Sequence, residues 1–163
     1  LSPPYENRGI CLFLSTFSSW KTVSRFFTPL FSKPLAKEAG DILKETAPDA
    51  LYVAFMKRFI SYPIDLFHTN LIFQSPAVTV KKGYGSSLDL AILFYNLLEQ
   101  KGETPALLLA NTDRIFIREF RDMPTPALFN DVIVRCGNSD YVFNRRELPP
   151  GYTGLEEMTA LDI

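Results

Sequence analysis

The sequence predicts an α+β domain, with helices first and an antiparallel sheet after them. Three observations predict it. Apolar residues recur at helical spacing through the first part of the chain, at Trp20, Val23, Phe27 and Leu30 and again at Leu51, Phe55 and Phe59. A run that is apolar on nearly every side follows Gly83-Tyr84-Gly85-Ser86-Ser87 and ends at Gly102. Beyond it the pattern changes to short apolar runs of strand length separated by turn residues. With 163 residues, 47% of them apolar and 21% charged, the chain has an ordinary globular balance and the length of one domain.

Taken in order, residues 1–17 read as a loop, with Pro3, Pro4 and Asn7, and then a short strand at 10–14. Ser18 or Ser19 caps the first helix, and Pro29 weakens its last turn. A second helix is expected from Pro34, a position where proline fits, to about Thr46. A third follows Pro48-Asp49, with Leu51, Phe55, Phe59 and Tyr62 as its stripe, and Pro63 ends it. Residues 63–82 show no clear period and are expected to be a connection with a short extended piece at 71–73.

The centre is the helix that begins at Ser86. Ser86 and Asp89 form a Ser-x-x-Asp sequence of the capping-box type, which makes Ser86 the N-cap and Ser87 the first helical residue. Asp89 and Asn96 interrupt an apolar run too short to span a membrane. A buried helix therefore presents Ser87 at the end of a glycine-bearing loop, where a nucleophile or an anion site is often held. After Gly102, residues 105–110 form a continuous apolar strand and 114–120 alternate. The proline-punctuated loop at 121–128 leads to a hairpin over 129–144, turning at Gly137-Asn138-Ser139-Asp140. The tail is loop-like to about Leu155, with an edge strand expected at 161–163.

Tyr84-Gly85-Ser86-Ser87-Leu88-Asp89-Leu90-Ala91 resembles the Tyr-Gly-Asp-Cys-x-Asp-x-Ala motif of bacterial transglutaminase-like proteins. Phe17-Ser18-Ser19-Trp20 resembles the opening of members that carry a β-rich domain before the transglutaminase-like one. Arg121-Asp122-Met123-Pro124 through Phe129-Asn130-Asp131-Val132-Ile133-Val134 resembles the segment bearing the catalytic histidine, and Tyr141-Val142-Phe143-Asn144 the strand bearing the aspartate. The four motifs occur in the family's order and spacing. The resemblance implies a papain-like fold over 18–163, with 1–17 the tail of a preceding domain or linker. It also implies a bacterial periplasmic or cell-envelope setting.

Residue by residue, the family's chemistry is missing. Ser87 stands in place of the cysteine, Asp131 in place of the histidine and Asn144 in place of the aspartate. Such sites need a thiolate, a histidine to take and return its proton, and an acid or amide to orient that histidine. A serine hydroxyl gains little from a helix N-terminus and needs a real base. An aspartate near its reference pKa of about 3.9 is a poor one at neutral pH. The single histidine, His68, precedes the central helix, whereas the family's follows it. The expected function is thus a catalytically inactive transglutaminase-like domain, serving as a binding or structural module of a larger bacterial envelope protein. Two alternatives stay open: a Ser87-dependent hydrolase or acyltransferase, and a purely architectural domain.

Expected roles follow. Asp131 accepts hydrogen bonds from Ser87, Ser86 or nearby backbone, and Asn144 bonds across the hairpin or to Asp131. Tyr84, Ser86, Ser87, Phe120 and Asp131 are the candidates to line a groove for a protein, peptide or envelope glycan, alongside neighbouring domains of the same chain. No cofactor is expected, and no His/Cys/Asp/Glu cluster has metal-ligand spacing. The glycines near Tyr84 lack the Lys-Ser/Thr pair that a phosphate loop requires. A net charge of −1 with no basic block argues against nucleic acid and anionic membrane as partners. Cys11 and Cys136, far apart in sequence, are expected to be unpaired. The opening Leu1, in place of Met, leads us to expect a piece of a longer chain, and no spanning segment is seen in it.

Overall fold

The computed structural model describes residues 17–31, 44, 47–62, 64, 72–110, 124, 129, 131–144 and 160–162, with backbone alone for 26–31 and 160–162. Within them the protein is α+β: four helices, a two-stranded parallel ribbon and a four-stranded antiparallel sheet. The strands expected at 10–14 and 114–120, nearly all of the helix expected at 34–46, and the boundary placed at residue 17 lie outside the described residues.

Helix α1 (Trp20–Phe31) starts at Ser19, whose Oγ accepts from the Thr22 backbone N–H at 3.2 Å. Val23 is buried, and Trp20 packs on the core edge-to-face with Phe129, centroids 5.7 Å apart. Helix α2 (Pro48–Arg58) has proline in its first turn and buries Leu51 and Phe55. It does not run on to Pro63 as the stripe suggested. At Phe59 (φ −106°, ψ 140°) the chain becomes extended and enters strand β1 (Ile60–Ser61). Two causes act together. Tyr62 precedes a proline and is driven out of the α region. The extended backbone also finds partners, because Ile60 N–H donates to Gly83 O at 3.0 Å and Tyr62 N–H to Gly85 O at 2.8 Å.

Those acceptors lie beside strand β2 (Tyr84–Gly85), which pairs in parallel with β1, Ile60 opposite Tyr84 and Ser61 opposite Gly85. The expected connection before β2 contains helix α3 (Pro76–Lys82) instead. Its Val78, Thr79 and Val80 are β-branched and show no clean stripe, which hid the helix. Its punctuation was visible: Ser75 before Pro76 at the start, and Gly83 at φ 73°, in the left-handed region, at the end.

Helix α4 (Ser87–Gln100) is the centre of the molecule, with Leu88, Leu90 to Phe94, Leu97 and Leu98 all buried. The main sheet has the order β5-β4-β3-β6, from β3 (Ala106–Ala110), β4 (Asp131–Cys136), β5 (Ser139–Val142) and β6 (Ala160–Asp162). All neighbours are antiparallel, and the last strand occupies an edge as expected. Strand alternation divides the sheet into two faces. Leu107, Leu109, Val132, Val134, Tyr141 and Phe143 join α4 in the main core, whereas Leu108, Ala110 and Ile133 form a second, smaller cluster with Val142. Tyr52, Phe55, Phe94, Tyr141 and Phe143 make an aromatic knot in the main core, with ring centroids 5.1 to 5.8 Å apart. No helix among the described residues is long and apolar enough to cross a membrane.

Candidate functional site

The turn into α4 is held by one carboxylate. Asp89 Oδ2 accepts from Ser86 N–H at 2.8 Å and from the Ser86 hydroxyl at 2.9 Å, while Ser86 Oγ accepts from Asp89 N–H at 3.2 Å. This is a complete capping box, with Asp at the position usually held by Glu or Gln. Asp89 also reaches outward. Its Oδ1 accepts from Gln74 N–H at 2.5 Å and its Oδ2 from Gln74 Nε2 at 3.1 Å, and Gln74 Oε1 accepts from Lys82 Nζ at 2.7 Å. Asp89 therefore ties residue 74, the N-cap and the end of α3 into one network.

Gly85 is required by the same carboxylate. A Cβ there would lie 2.6 Å from Asp89 Cβ, closer than two carbons can approach. The Gly-Ser-x-x-Asp spacing thus has a steric reason: the capping side chain folds back against the strand that precedes it. Ser87, the first helical residue, is 2% exposed at the positive end of the α4 dipole.

The sheet supplies the second half of the site. Ile133 pairs with Val142, so the same register carried two residues further sets Asp131 opposite Asn144. Asn144 Nδ2 donates to Asp131 Oδ2, and Asp131 Oδ1 accepts from Val132 N–H at 2.8 Å. The asparagine orientation follows from the carboxylate, since an amide oxygen turned toward it would be repelled. That leaves Asn144 Oδ1 buried with no hydrogen-bond partner.

Ser87, Ser86 and nearby backbone are the donors expected for Asp131. The backbone donor is there, and Asn144 is one side-chain partner. Neither of these bonds involves Ser87, and Ser86 is engaged by Asp89. In the sheet Asp131 lies opposite Ala110, and its neighbours Val132 and Val134 belong to the core that α4 fills. Among the groove candidates, Tyr84 packs on Tyr62 with centroids 5.0 Å apart and lies 5.6 Å beneath Lys82 Nζ. Phe120 lies outside the described residues, as do His68 and Cys11. Cys136 is a free, buried thiol, raised in pKa by burial and by the Glu103 carboxylate. No three His, Cys, Asp or Glu side chains gather to hold a metal ion among the described residues.

Sequence reasoning missed Gln74 and Lys82, because nothing local marks a residue fifteen positions upstream as the partner of Asp89. It also missed the bond from the Tyr141 hydroxyl to Asp49 Oδ1, 2.6 Å, which fastens β5 to the start of α2. Burial, together with that bond, pushes the Tyr141 phenol up to about 12. Burial likewise raises Tyr52, whose hydroxyl donates to Val142 O at 2.5 Å.

No family model matches the chain, and no curated protein matches it. Among solved structures it is similar to the crystal structure of a candidate protease from Parabacteroides distasonis, with a TM-score of 0.61 at 14% identity over 78% of this chain. The chain spans 27% of that structure's length, and at this identity the likeness concerns the fold.

Proposed function

We propose that this chain is a transglutaminase-like, papain-like domain whose catalytic positions have been replaced, kept as a binding or structural module of a larger bacterial envelope protein. The observation that carries the reading is the pairing of Asp131 with Asn144 at the end of the β4–β5 hairpin. In the family those two positions hold the histidine and the acid that orients it. Here the same register joins a carboxylate to an amide, so the imidazole that shuttles the proton in such sites has no counterpart at either position. The order of elements and the likeness in fold to a candidate protease support the same frame.

Burial favours the structural end of this proposal. Ser87 and Asp131 are each 2% exposed and Ser86 7%, so the old site offers little surface to a substrate. The rival reading, a hydrolase or acyltransferase using Ser87, needs a base placed to take the proton of the Ser87 hydroxyl.

Two experiments test the proposal. A serine-directed fluorophosphonate should label the chain no faster than Ser87→Ala; faster labelling that disappears in the variant would establish the enzyme reading. The frame itself is tested by rebuilding it, as Ser87→Cys with Asp131→His and Asn144→Asp. Iodoacetamide should then alkylate position 87 with a pH onset well below the usual thiol value of about 8.5. An ordinary onset in a folded triple variant would show that these three positions do not form a thiol-enzyme frame.

A further inference from the structure

We draw no further inference here: the strongest candidate, the exposed apolar patch of Ile60, Tyr62 and Ile64 beside the β1–β2 ribbon, carries nothing because the structure does not show what covers it.

Discussion

Gly85 shows how one atom can decide a turn. Its requirement is space, because the missing Cβ would collide with Asp89 Cβ at 2.6 Å. Gly85→Ala should therefore force either the capping carboxylate or strand β2 to move, at a cost of about 1–3 kcal/mol in urea denaturation. Ser61, its partner across the ribbon, is the opposite case: its hydroxyl is buried and makes no hydrogen bond. Ser61→Ala removes an unsatisfied group, so it should leave stability unchanged or raise it by about 1 kcal/mol; a clear loss would mean that the hydroxyl has a partner in solution. Tyr141 sets a pH limit. Its folded pKa, up to about 12 from 10.0, lies above that of the unfolded chain, so the folded state binds the extra proton. Stability should be undiminished below pH 10, fall as pH rises from 10 towards 12, and lose this component of the fall in Tyr141→Phe.

Among the elements, α4 was legible from its own residues and α3 was not. The capping box, the all-round apolar surface and the glycine stop are local signals, and each appears where the residues placed it. Helix α3 had only its punctuation, since a seven-residue helix holding three β-branched residues gives no dependable stripe. The end of α2 failed for another reason. Tyr62 falls on the helical stripe, but the backbone left the helix four residues earlier for a partner strand in another part of the chain. The network around Asp89 predicts unequal costs at the start of α4. Ser86→Ala should lose a cap, about 1 kcal/mol. Asp89→Ala should cost more, about 3 kcal/mol, because Gln74 and the N-cap lose their shared acceptor together. Equal losses in thermal or urea melts would show that the link to Gln74 contributes nothing.

At the scale of the whole molecule, α4 and the sheet share an aromatic centre. Phe94 is fully buried and touches Tyr52, Phe55, Tyr141 and Phe143, which bring α2, α4 and the end of the hairpin together. Phe94→Ala should cost about 3–5 kcal/mol, the range for a large cavity in a core. Phe143→Ala should behave alike, whereas Val53→Ala, on the exposed side of α2, should be nearly silent. Near-equal effects at positions 94 and 53 would mean that this knot is not the core.

The residues by themselves determined the α+β order, the central helix with its cap and the existence of the hairpin, although its turn is Gly137-Asn138 alone, with Ser139 and Asp140 already paired in β5. These follow from contacts close in sequence or from a period that a single strand or helix imposes. Tertiary structure alone decided the parallel β1–β2 ribbon, the grip of Gln74 on Asp89 and the bond from Tyr141 to Asp49. Each of these depends on which distant segment arrives beside which. No local propensity encodes that choice, because it is made by the summed burial of surfaces that meet only when the chain is folded.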